Sequence, residues 1–193
     1  TVTTMSEEPA TKKAKTDESG NESGWESHKL NISEALMKKD EGRHLSDVMN
    51  DEISTLQGIG PMSLEVFDTL GLKTIPQLAT YKYFLLARAL KALSETETED
   101  GRLEGSVMNV DKAVDKEWEQ KSLKEICEAP TEALEGITKD ACDLLEKLGV
   151  HSISDLAELK YCRWAEAIVH AAKFEQTKTV KERKLEAQLR KLS

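Results

Sequence analysis

Residues 56–79, LQGIGPMSLEVFDTLGLKTIPQLA, and residues 134–157, LEGITKDACDLLEKLGVHSISDLA, are two versions of one pattern, displaced by 78 residues without a gap. Leu56, Gly58 and Ile59 meet Leu134, Gly136 and Ile137; Leu70-Gly71-Leu72 meets Leu148-Gly149-Val150; Ile75, Leu78 and Ala79 meet Ile153, Leu156 and Ala157. The register runs on through Lys82-Tyr83 against Lys160-Tyr161, and upstream through Leu45 and Val48 against Leu123 and Ile126. An internal repeat of this length predicts one compact unit occurring twice, over about 45–93 and 122–174.

The punctuation inside each copy is helical. Leu45, Val48, Met49 and Ile53 recur at helical spacing and predict a helix ending near Gly58, a residue suited to a left-handed terminal turn. Pro61 fits the first turn of a second helix that carries Leu64, Phe67 and Leu70 on one face and stops at Gly71. Thr74 in the first copy and Ser152 or Ser154 in the second precede a short helix bearing Leu78-Ala79 or Leu156-Ala157. A longer, more apolar helix follows, striped by Tyr83, Leu86, Ala87, Leu90 and Leu93, and by Tyr161, Trp164, Ala165, Ile168 and Ala172.

Working outward, the chain divides into five segments. Residues 1–30 are polar and read as a disordered tail, with one basic run, Lys12-Lys13-Ala14-Lys15, and one aromatic residue, Trp25. Residues 31–93 hold the first unit, opening with a short helix from Ile32 to about Lys39. Residues 94–121 are an acidic connector, SETETEDGRLEG, and a bridging helix from Val107 to Gln120 with Val114 and Trp118 on one side. Residues 122–175 hold the second unit. Residues 176–193 form a basic amphipathic helix in which Val180, Leu185, Leu189 and Leu192 share a face opposite Lys181, Arg183, Lys184 and Arg190.

The stretch LQGIGPMSLEVFDTLGLKTIPQLA resembles the helix-hairpin-helix signature: Gly-Ile-Gly at a hairpin, a helix, a Leu-Gly-Leu turn and a Thr-Ile-x-x-Leu-Ala helix. It is similar to tandem hairpin domains of DNA repair and replication proteins, and to uncharacterised helical domains that share a Gly-Ile-Gly-Pro start. The resemblance covers about half the chain. It implies an all-α fold of two tandem helix-hairpin-helix-like repeats joined by a helical linker. For a DNA-binding member it implies that Gly58, Ile59 and Gly60 present backbone N–H groups to a phosphate, since the start of a helix leaves its first donors unpaired. The second copy departs from this pattern, with Thr138 in place of Gly60 and Lys139 added beside it.

Charge argues against a general nucleic-acid binder. The chain has a formal net charge of -9, and between Lys124 and Glu175 six cations stand against eleven acids. Between Leu45 and Leu93 four cations stand against five acids, with no basic cluster beside the first hairpin. Nor is an enzyme indicated. His28, His44, His151 and His170 are scattered, and no Walker-type GxxxxGK[ST] or strand-linked GxGxxG is present. Cys127, Cys142 and Cys162 form no CxxC pair; Cys142 and Cys162 match Leu64 and Phe84 of the first copy, so they read as small core residues in a reducing compartment, with cytoplasm, nucleus and plastid all open. No cofactor, metal or small-molecule substrate is implied, and no run of about 18 apolar residues offers a membrane span.

Three functions remain. The first is a non-catalytic binding or scaffold module, a subunit of a larger assembly, whose protein contacts are Trp25, Tyr81, Leu185, Leu189 and Leu192. The second is a nucleic-acid module using Gly58, Ile59 and Gly60 with Lys139 as auxiliary contact. The third is an accessory subunit of an organellar complex, such as a photosynthetic one.

Overall fold

A computed structural model describes residues 30–99 and 104–191, of which those from Ile32 onward belong to one compact unit. The described residues are helical without a sheet. In order it has α1 (Leu45–Val48), α2 (Pro61–Thr69), α3 (Ile75–Ala79), α4 (Lys82–Ser94), α5 (Leu123–Glu128), α6 (Lys139–Glu146), α7 (Ile153–Ala157), α8 (Lys160–Ala172) and α9 (Val180–Arg190), with short 3-10 turns at Ile53–Thr55 and Thr131–Ala133. Among the described residues no helix is long and apolar enough to cross a membrane.

The 78-residue offset reappears in these boundaries: α1 to α4 start at 45, 61, 75 and 82, and α5 to α8 at 123, 139, 153 and 160. Local chemistry explains several starts. Thr74 closes a capping box with Gln77, and Ser152 closes one with Asp155, so the short α3 and α7 each begin with their first donors satisfied. Pro61 occupies the first turn of α2, where the missing N–H is not needed.

Three expected elements differ. The helix expected from Leu45 stops at Val48, and a separate 3-10 turn carries Ile53, because the amide of Ile53 bonds to the Lys73 carbonyl (3.0 Å) instead of continuing a helix. Neither Ile32–Lys39 nor Val107–Gln120 is helical; both are chains of turns. Each of these leaders makes a short antiparallel bridge instead, Leu36 to Leu56 and Val114 to Leu134. Met37 and Gln57 bond to Thr55 and Ala35 across the first, at 2.9 Å each. Asp115 and Glu135 bond to Ala133 and Ala113 across the second, at 2.9 and 3.0 Å. The bridging helix expected in the connector is therefore replaced by a segment that pairs with the second half and buries Val114 against it.

The two halves are interlocked. α3 packs on α8 and α7 packs on α4, so the short helix of each half lies against the long helix of the other. One continuous core results, running through Leu56, Phe67, Ile75, Leu78, Phe84 and Leu90 and their partners Leu134, Leu145, Ile153, Leu156, Cys162 and Ile168.

Candidate interaction sites

Each half also reaches across to cap the other. The Glu97 carboxylate, just beyond α4, accepts from the amides of Leu123 (2.7 Å) and Lys124 (2.9 Å) at the start of α5. Its counterpart 78 residues on, Glu175, accepts from the amides of Leu45 (3.0 Å) and Ser46 (2.9 Å) at the start of α1 and lies 3.1 Å from His44 Nδ1. Burial tends to raise the Glu175 carboxyl, but the hydrogen bonds from Ser46, Leu45 and His44 outweigh it and hold its pKa at about 2. Sequence reading passed over both glutamates, although their spacing is the same 78 residues.

The same reciprocity governs the two glycine turns. Gly58 has φ of +84° and Gly136 of +89°. Tyr161 Oη donates to the Gly58 carbonyl at 2.7 Å, while Tyr83, one repeat earlier, stands so close to Gly136 that a Cβ there would lie 2.8 Å from its Oη. These tyrosines sit at the first turn of α8 and α4, so each long helix lays its N-terminal end on the other half's turn.

The turns differ in what surrounds them. Gly60 is the N-cap of α2 and offers no side chain to the helix donors, whereas the Thr138 hydroxyl accepts from the Ala141 amide (3.2 Å) and closes the start of α6. Lys139 lies 3.1 Å from Asp143 and 3.8 Å from Glu132, and the Asp143 hydrogen bond raises its pKa. It is neutralised locally. At the first turn a cation arrives from the other half: Lys160 Nζ is 3.7 Å from where a Gly58 Cβ would be, and it lies over the Tyr161 and Trp164 rings at 4.9 and 5.4 Å. One cation thus stands beside Gly58 without forming a basic cluster, and it comes from 102 residues away in sequence.

The remaining candidates fall in different places. Trp25 and Leu192 lie outside the described residues. Tyr81 is half-buried, packs edge-on against Tyr83 with ring centroids 5.6 Å apart, and burial pushes its hydroxyl well above the ordinary tyrosine range. It is part of the chain's own packing. Leu185 and Leu189 are 57% and 58% exposed on α9, and of the described side chains from Lys181 to Arg190 only Glu186 is not exposed. Ile59 packs against the core. The three thiols are buried and free, and burial raises Cys162 and Cys127.

Two hollows flank Trp118, of about 400 and 550 Å3, sharing Trp118 and Pro130 in their walls. A third, of about 330 Å3, lies between the Ile53–Thr55 turn and α2, lined by Leu64, Leu72 and the acids Glu52, Glu65 and Asp68. Among the described residues no group of three His, Cys, Asp or Glu side chains is placed to hold a metal ion.

Comparison of the chain with protein-family models, with curated proteins and with solved structures found no match.

Proposed function

We propose that this chain is a non-catalytic protein-binding or scaffold module, and that α9 is its principal anchor. The observation that carries the reading is the condition of that helix. Residues 177–193 hold six cations and two acids, and α9 starts from a capping box of Thr179 and Glu182, so it is a formed helix. Its Leu185 and Leu189 nevertheless remain largely in water, with Lys181 one helical turn before Leu185 on the same side. An amphipathic helix with an uncovered apolar stripe fits a helix-in-groove mode of recognition. Affinity capture with the full chain, with a chain ended after Gln176 and with Leu185→Asp/Leu189→Asp tests it. Loss of the same bound proteins in both variants is expected; an unchanged set overturns the reading.

One observation favours a second reading, nucleic-acid binding at Gly58, Ile59 and Gly60: Lys160 stands at that turn without a carboxylate partner among the described residues, and the α2 start has no side-chain cap. A helix N-terminus backed by one cation suits a phosphate. With one or two phosphate contacts, duplex affinity falls about four- to twelvefold between 50 and 200 mM salt, and Lys160→Glu abolishes it. Fluorescence anisotropy that finds no binding at the lower salt removes this reading.

A further inference from the structure

The second half carries a surface feature that the first half lacks. Trp118 stands half-buried beside Pro130 and Ala129 with a hollow on each side. At the matching place 78 residues earlier, Asp40 is buried and bonded to Arg43 at 2.9 Å, so this packing does not need an indole there. Around the tryptophan, Lys121 lies 3.4 Å from Glu125 and Lys139 lies 3.1 Å from Asp143, whereas the acids Asp115, Glu117 and Glu128 and one cation, Lys124, have no partner of opposite charge among the described residues, which leaves the rim acidic on balance. The result is an aromatic groove with an acidic rim. Tryptophan is among the residues enriched at the energetic centres of protein interfaces.

α9 is the complement of that groove. Its leucines are apolar and uncovered, and Lys181, Arg183 and Lys184 have no carboxylate partner among the described residues, while the acids of the helix, Glu182 and Glu186, are bonded to Thr179 and Lys178. Two features of the same chain thus leave opposite charge and apolar surface unmatched. Within one chain the two do not meet, since Leu185 and Leu189 remain exposed. Glu175, five residues before α9, is bound to the start of α1, which packs on α8; the groove lies beside α5, which packs on α4 and is held by Glu97. The four residues 176–179 reach at most about 14 Å from the α1 side.

We propose that α9 of one chain docks in the Trp118 groove of a second copy, leucines against the indole and lysines against Asp115, Glu117 and Glu128. This rests on the reading of α9 as an anchor and names what it anchors to. The contact joins two different surfaces, so it is head-to-tail, and it closes into a ring or extends as a chain according to the rotation it imposes. Small and charge-assisted, it belongs to the weak class of interfaces and is screened by salt.

Sedimentation equilibrium of the full chain, from about 10 μM to 1 mM at low and high ionic strength, reads the association directly. Two exposed charge reversals test its geometry without touching the core: Glu117→Lys/Glu128→Lys on the groove and Lys181→Glu/Lys184→Glu on α9. Each variant alone is expected to associate about tenfold more weakly than the unaltered chain. An equimolar mixture of the two is expected to associate again, since every contact then pairs unlike charges. A chain that stays monomeric throughout, or association that survives both reversals, overturns the proposal. If that chain still loses a captured protein on Leu185→Asp/Leu189→Asp, the self-docking idea fails while the scaffold reading stands; if capture is also unaffected, both fall.

Discussion

Thr131 is completely buried, and its hydroxyl has no hydrogen-bond partner among the described residues. The corresponding residue of the first half is Ile53, also buried. Taking a hydroxyl out of water without a replacement bond costs about 1–3 kcal/mol, so Thr131→Val, which keeps the shape and removes the oxygen, is expected to stabilise the fold by about 1 kcal/mol. A urea titration that shows a lower midpoint for the variant contradicts this account of the site. The two left-handed glycines make a graded comparison. An added methyl at Gly58 meets Tyr161 Oη at 3.5 Å and at Gly136 meets Tyr83 Oη at 2.8 Å. Both alanine substitutions pay the positive-φ strain of about 1–2 kcal/mol, and Gly136→Ala adds a clash that must move a half-buried ring. Gly136→Ala should therefore have the lower melting temperature of the two.

At the scale of elements, the helix starts are the points where distant sequence segments meet. Glu175 caps α1 through two amides and Glu97 caps α5 through two more, in each case from the tail of the long helix of the other half. A carboxylate at a helix N-terminus completes orphan donors and meets the positive end of the helix dipole, a contribution of about 1–2 kcal/mol. Since the Glu175 pKa is depressed to about 2 from an ordinary value of 4.5, its contribution is fully present above about pH 5 and disappears as pH falls toward 2. Glu175→Gln should lower stability at pH 7 and leave a shallower decline between pH 5 and 2. Equal acid sensitivity of variant and parent, followed by circular dichroism, rules this carboxylate out as the titrating group.

Across the whole molecule, the interlock brings one pair of equivalent positions on the two long helices together. Arg88 of α4 is paired with Glu166 of α8, and these residues are 78 apart, so at this point the two halves carry opposite charges where the pattern alone would put like residues. Pairing a half with its own kind would set Arg against Arg or Glu against Glu, which disfavours that association. Arg88→Glu and Glu166→Arg should each lower stability by about 1 kcal/mol, and the double exchange should recover most of it. A double variant as unstable as the sum of the singles means that the pair is incidental. Lys91 on α4 adds a second ion pair across the halves, to Glu158 at 3.2 Å.

Much of this was open to reading from residues. The turns at Gly58 and Gly136, Pro61 opening α2, Thr74 and Ser152 capping α3 and α7, and the stripes of α4 and α8 apart from Leu93, which is 52% exposed, follow from local rules, because caps, left-handed turns and helical periodicity act within about four residues. The failures share a cause. Apolar residues at helical spacing in Val107–Gln120 predicted a helix, but Val114 is buried by a two-residue bridge to Leu134, and a pattern of buried positions does not say which backbone shape buries them. Tyr81, expected as an exposed anchor, is half-buried against Tyr83 and the core.

The amino-acid order alone settled the helical class, the 78-residue recurrence and the basic character of the C-terminal helix, all of which depend on composition and short-range spacing. Only the tertiary structure decided which half each long helix leans on, that Glu97 and Glu175 cap helices 26 and 130 residues away, and that Lys160 comes to rest beside Gly58. A repeated pattern is equally compatible with two separate units and with two interleaved ones. The choice between them is made by which apolar faces can bury the most surface together, and that is a property of the folded whole.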